Sequence, residues 1–345
     1  MKNILKSALV TGLLPVLIMG CEHPIHMKTK VHDNGSLDKI IELDKADSGN
    51  VEKNVFNINA SKGWNVIIKR SESDSTSSRD EFKIRFEKQF TSAAEANRDL
   101  KNESDTLFSI ESKFDKSFRW FYTYIRYSET FKRIDRLKKV KAEDYFNRED
   151  QSFINRLPGE GMAISKADSF YLQTLNKKIF EDYGRMGMFL DYLDIMAEVI
   201  RKNIGENWVD SLYKESEYIY NKLEDMEGDE NFALKMADSL NIPLPKEKAT
   251  QDFALLSKDL NSRINFMSYA RDGKYSNVVE MPWTVVASNA DSVAGNTLYW
   301  NPLITKFAIR EFEMFAEARK LNWWTVVVSL LVIGSTLWIF LRKRN

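Results

Sequence analysis

The chain has 345 residues, and its 50 basic and 50 acidic side chains leave a formal net charge of zero. That balance argues against a nucleic-acid binder, which would carry a basic face. Cys21 is the single cysteine, so no disulfide can form within the chain and packing must hold the fold together.

In chain order, Lys2 and Lys6 give a short basic start and Ala8 to Met19 is almost wholly apolar. A run that short, ahead of a small residue, reads as a secretory signal over residues 1–20 rather than a spanning helix. Its end, Ile18-Met19-Gly20-Cys21, resembles the lipobox of bacterial lipoproteins. The resemblance implies that the Cys21 sulfur receives a diacylglycerol, that the chain is cut before it, and that the new amino terminus is acylated, as with palmitate. Cys21 is the expected lipid anchor.

Residues 21–140 read as β-rich. Asn34-Gly35 sits between two extended segments (25–43), and Asn-Gly accepts the positive φ angles of a tight hairpin turn. Residues 63–69 form a further strand, and the polar run 71–81 is a loop. Over 82–88, Phe82, Ile84 and Phe86 face one way and Lys83, Arg85 and Glu87 the other. Ser92 with Glu95 marks a capping box for a short helix through Leu100. Residues 107–114 and 117–131 return to strand. The second run has aromatics on both faces, which predicts a central strand covered on both sides.

Residues 141–270 shift to a 3.6-residue period, predicting four to six helices in an inserted lobe. Leu172, Leu175, Ile179, Tyr183, Met186, Leu190, Leu193 and Val199 trace one stripe. The prolines of 241–250 interrupt the run. Residues 271–320 resume strand character, with turns at Asn289-Ala290-Asp291 and Gly295-Asn296. Residues 303–318 fit strand or helix, and strand is preferred. Such an arrangement puts the helices farthest from a membrane.

Residues 321–341 hold no charge and are followed by a basic tail, 342–345. A helix of that length covers roughly 31 Å, matching a hydrocarbon core of about 30 Å. Trp323, Trp324 and Trp338 lie near its two ends, where amphipathic rings favour the interface. Arg342, Lys343 and Arg344 mark the cytoplasmic side. With a cleaved signal, this places the body on the outer face of the cytoplasmic (inner) membrane, because outer-membrane proteins cross as closed barrels. Two tethers would then restrict its posture.

Chemistry-bearing patterns are sparse. All three histidines, His23, His26 and His32, follow closely behind Cys21, which leaves the folded body short of the histidine that serine triads and Cys-His pairs need. The His23-x-x-His26 spacing could bind a metal, but a solvated tether is the plainer reading. No nucleotide-binding or nucleophile-elbow motif is present, so no cofactor is expected. Asp191 with Asp194, and Glu224 with Glu227, lie three apart on helices and read as solvated surface. Met186, Met188, Met196, Met226 and Met236 fall among the helical stripes, where methionine adapts to apolar ligands as well as to cores.

Residues 281–300 carry Met281-Pro282, Asn289, Gly295 and Trp300, and residues 33–39 carry Asp33-Asn34-Gly35-Ser36. This pattern resembles the β-domain of LppM-like membrane-anchored lipoproteins, with Trp283 standing where that pattern has glycine. The resemblance covers the ends of the chain. It implies a membrane-anchored β-domain with lipid or envelope roles and carries no catalytic residues. The expected fold class is α+β: a β-rich unit built from N- and C-terminal segments, an inserted helical lobe and one C-terminal transmembrane helix. The expected role is non-catalytic, binding a protein partner or supporting an envelope complex. The alternatives are a carrier or sensor of a lipid or other apolar ligand, and a carboxylate-dependent hydrolase.

Overall fold

A computed structural model describes residues 23–46, 48–70, 82–226 and 232–344. Cys21, the signal segment and the loop 71–81 lie outside the described residues. Strands β1 (His23–Val31) and β2 (Leu37–Ala46) form the hairpin expected at Asn34-Gly35. Gly35 takes φ +89°, and a Cβ there would meet the Phe114 ring at 3.0 Å, so both the turn and its packing require glycine. Next come β3 (Asn65–Arg70), β4 (Phe82–Phe90), helix α1 (Ala93–Leu100), β5 (Ile110–Phe118) and β6 (Tyr122–Phe131). Ser92 caps α1 by accepting from the Glu95 N–H at 3.2 Å. The Glu95 carboxylate reaches back to the Thr91 N–H, one residue earlier than in a standard box.

Nine α-helices follow among the described residues, more than the four to six expected. They are α2 (Ala142–Tyr145), α3 (Arg148–Arg156), α4 (Lys166–Lys177), α5 (Gly184–Ile204), α6 (Val209–Lys214), α7 (Ser216–Met226), α8 (Phe232–Ser239), α9 (Lys246–Leu256) and α10 (Lys258–Arg271). A π-helical turn, Lys178–Tyr183, joins α4 to α5. The chain then returns to strand in β7 (Gly273–Glu280), β8 (Thr284–Ser288), β9 (Ser292–Ala294), β10 (Thr297–Trp300) and β11 (Phe312–Leu321), and ends in α11 (Trp323–Arg344).

The fold is mixed α+β with two sheets. One has seven strands in the order β3-β4-β2-β1-β7-β10-β9, the other four in the order β5-β6-β11-β8. Strands from either side of the helical segment share both sheets, and β1 pairs β7 in parallel. Ile25, Ile41, Ile84 and Phe86 from the larger sheet meet Ile125, Tyr127, Phe131 and Ala316 from the smaller one in a single core. Phe146, Phe153, Ile154, Ile179 and Phe266 of the helical segment join that same core, whereas Phe189, Leu193, Met196, Ile200, Leu212 and Met236 form a second cluster.

The two ends of the sandwich differ. At one, the β1–β2 turn meets the last residues of β11: Lys116 Nζ donates to the Asp33 carbonyl at 2.7 Å, and Lys320 lies 3.8 Å from the Asp33 carboxylate. At the other, Tyr275, Phe307 and Phe131 cluster, with Tyr275 opposite Ile25. The helical segment leaves from β6 and returns to β7 at this second end. So does the chain start: His23 pairs Gly273 and stacks on Tyr269. At about 3.3 Å per residue, β1 therefore begins roughly 27 Å from the end that carries α11.

Two expectations change. Residues 117–131 are not one strand: the chain turns between Arg119 and Tyr122, which exchange backbone hydrogen bonds of 2.8 and 3.0 Å. β6 is central, but Tyr122, Tyr124 and Arg126 on its outer face remain at least partly exposed. The apolar helix starts at Trp323, because Leu321 completes the β11 ladder opposite Tyr122, and it runs through Arg344.

Candidate functional site: a strand-to-helix junction and an apolar cavity

The step from β11 to α11 is made by Asn322, which is 6% exposed. Its amide donates to the Arg119 and Trp120 carbonyls at 3.0 and 3.3 Å, and its Oδ1 accepts from Thr123 Oγ1 at 2.8 Å. Its backbone N–H bonds the Phe121 carbonyl, and its own carbonyl receives the Thr325 N–H and hydroxyl. The first turn of α11 is thus joined directly to the β5–β6 hairpin. Beyond that turn the helix is bare: every residue from Leu330 to Arg344 is exposed. It is the one helix among the described residues long and apolar enough to cross a membrane. A soluble core helix would be buried, whereas an apolar surface exposed all round needs another apolar medium. Trp323, Trp324 and Trp338 are 70%, 57% and 62% exposed. The Arg342 guanidinium lies 5.5 Å over the Trp338 ring, and Lys343 and Arg344 complete the final turn.

A second feature lies between the sheets. Lys39 and Glu129, both buried, form an ion pair at 2.5 Å. Glu129 also accepts from Thr29 Oγ1 at 2.7 Å, Tyr127 OH at 2.6 Å and Asn277 Nδ2 at 2.9 Å. Burial alone would raise the Glu129 pKa, but the Lys39 charge and these donors bring it down to about 2. Burial and the Glu129 charge push the Tyr127 phenol well up. This pair was open to sequence reasoning and was missed. Leu37, Lys39, Ile41 and Leu43 share one phase of β2, so Lys39 had to point inward, and Glu129 falls in phase with Ile125, Tyr127 and Phe131.

The third feature is a cavity of about 90 Å³ where the helical segment meets the strands, lined mainly by Ile134, Leu137, Ile179, Met188, Met267 and Ile309. The π-helical turn forms part of its wall, and such turns recur at functional sites. Its polar rim holds Asp135, Tyr183 and Arg271. Tyr183 donates to Asp135 at 2.6 Å, and burial and that carboxylate raise the phenol pKa. Of the methionines singled out above whose side chains are described, only Met188 reaches the cavity. Met196 and Met236 are core, Met186 packs beside them, and the Met226 side chain lies outside the described residues. Met267 was not anticipated; its position depends on how α10 packs.

Asp191 is not solvated as expected: it is buried 3.2 Å from Arg263, and burial raises its pKa while Arg263 partly offsets that. Asp194 is half-buried; it pairs Lys139 and accepts from Tyr213 OH at 2.8 Å. The Glu224 side chain and Glu227 lie outside the described residues. The histidines do not form a tether. His23 and His26 belong to β1, with His26 Nδ1 2.6 Å from Ser276 Oγ, and His32 lies 2.9 Å from Asp38. Among the described residues no group of three or more His, Cys, Asp or Glu side chains could hold a metal ion.

No family model matches the chain, and no curated protein matches it. Among solved structures, the folded domain of Mycobacterium tuberculosis LppM, determined by NMR, is similar over 88% of this chain and 92% of its own. The identity is 7% and the TM-score 0.28. That likeness is weak, and nothing is carried from that protein to this chain.

Proposed function

We propose that the chain is a non-catalytic, membrane-anchored envelope lipoprotein that binds a protein partner or supports an envelope complex. α11 spans the inner membrane with Arg342, Lys343 and Arg344 on the cytoplasmic side, and the body stands on the other side with its helical segment as an inserted lobe. What carries the reading is the exposed apolar helix tied at its first turn to the sandwich through Asn322. Cys21 is the lipid anchor. Because β1 begins at His23, an acylated Cys21 would sit within about 7 Å of the strand end opposite α11. Both anchors in one bilayer would hold the strands near the membrane plane. Exposed Phe170 (72%) and Leu255 (67%) offer apolar contacts on the helical segment. The buried carboxylates Glu129, Asp135 and Asp191 each meet a cation or hydroxyl, which favours this reading over a carboxylate-dependent hydrolase.

The test is a photoreactive residue at Phe170 or Leu255 in the full-length protein in its native membrane. A discrete adduct with one protein species is expected; adducts with lipid only, or none at either position, would overturn the reading.

The cavity favours a second reading, a carrier or sensor of an apolar ligand. At about 90 Å³ it is smaller than the roughly 150 Å³ that admits benzene, so it suits the end of one chain rather than a whole lipid. Native mass spectrometry of the protein purified without added lipid would show a reproducible bound mass under this reading and none under the first.

A further inference from the structure

Resting on α11 as the span, we propose that the tip of the β5–β6 hairpin is a second membrane contact, an aromatic wedge seated in the lipid interface beside the helix. Residues 115 to 121 are all exposed, and the tip, from Phe118 to Trp120, packs beside the first turns of α11. The hairpin's two central turn residues are Trp120 and Phe121, where a two-residue loop ordinarily takes Asn, Asp or Gly. Neither has a positive φ. Phe118, Trp120 and Phe121 are 57%, 48% and 45% exposed, a poor arrangement in water that no local backbone need explains.

Their neighbours identify the occupant. Phe118 stacks on Trp324 with ring centroids 5.9 Å apart, and Trp120 meets the same ring edge-on at 5.7 Å. Trp120 Nε1 donates to Ser329 Oγ at 2.9 Å. Ser329 lies six residues, about 9 Å, beyond the start of the helix. A helix that crosses a bilayer from Trp323 onward therefore carries Trp120 into the interfacial region with it. The argument holds at any tilt of the strands, because the tip is fixed relative to the helix. Around the aromatics, Lys116, Arg119, Arg319 and Lys320 are exposed, against the acidic Asp115 and Asp33. Aromatic rings ringed by cations suit the boundary between acyl chains and anionic headgroups.

The test uses the full chain with Cys21→Ser, so that an introduced cysteine is the single thiol, in vesicles of phosphatidylethanolamine and phosphatidylglycerol. Spin labels at Phe118→Cys and Phe121→Cys are compared with Leu331→Cys in the span and Ser211→Cys on α6, by accessibility to oxygen and to a water-soluble nickel chelate. The proposal expects both hairpin labels to favour oxygen over the chelate, as Leu331→Cys does. Hairpin labels that behave like Ser211→Cys, with Leu331→Cys still deep, overturn the wedge and leave the span intact. Labels shielded from both reagents mean a protein covers the tip, which also overturns it. An aqueous Leu331→Cys removes the span and the wedge together.

Discussion

Replacing Lys39 by methionine isolates the buried ion pair. At 2.5 Å separation and an effective dielectric constant near 20, the gross attraction is roughly 7 kcal/mol, much of it offset by the cost of desolvating both ions. The substitution removes the attraction but leaves the Glu129 desolvation in place. Tyr127, Thr29 and Asn277 still donate to the carboxylate, so the loss should be about 3–5 kcal/mol, as for other broken buried pairs. Urea unfolding of the detergent-solubilised protein, followed by tryptophan fluorescence, would measure it. Adding Glu129→Gln, which keeps an acceptor for the same donors, should recover all but about 1–2 kcal/mol. The pH dependence changes sign as well. In the native protein Glu129 titrates near 2, below its unfolded value of about 4.3, so its contribution is complete above that value and is lost as pH falls towards 2. Without Lys39 the folded-state pKa rises above the unfolded one, and stability is instead lost as pH rises through it. A cost below about 1 kcal/mol, or a double variant as unstable as the summed singles, would refute this account.

Asn322→Ala strips the strand-to-helix junction of its side-chain hydrogen bonds and should cost about 1–3 kcal/mol, read by the same unfolding assay, with faster amide exchange in the first turn of α11. Gly187→Ala places a Cβ 2.6 Å from Leu137 Cδ1 and 2.8 Å from Val140 Cγ2; the overpacking should cost roughly 1–3 kcal/mol and lower the urea midpoint. Val332→Arg puts a charge near the middle of the apolar helix, at a cost of about 2.5–3.5 kcal/mol for insertion. Fractionation of the Cys21→Ser background should then show protein shifting from membrane to soluble fractions.

Much of the sheet architecture could be read from period-two patterning and turn residues. Asn34-Gly35 announced its hairpin because only a positive φ closes that turn. Ile84 and Phe86 announced the inner face of β4, and Ser92 announced the start of α1. The apolar helix was legible from length and charge alone, although its first residue depended on a strand partner, Tyr122, nearly two hundred positions away. The hairpin at Trp120-Phe121 was hidden because it uses no glycine, proline or asparagine, so its residues continue the strand pattern through the turn. The burial of Asp191 was hidden because Arg263, which compensates it, comes from another helix. The cavity was invisible for a related reason: its walls are assembled from separate segments, so the stripe residues Ile179 and Tyr183 and the methionine Met188 gave no sign that they meet there.

The placement of the start of β1 and the end of β11 bears on how the body responds to force. His23 opens β1 at one end of the sandwich, and Leu321 closes β11 at the other. A pull between these points runs along the strands, across their hydrogen bonds rather than in line with them. The β1–β2, β1–β7 and β6–β11 ladders would be loaded in shear, with many bonds sharing the tension at once instead of being peeled apart singly. Under stretch the sandwich would behave as a stiff strut, and tension would reach the Asn322 junction before it loosened the core.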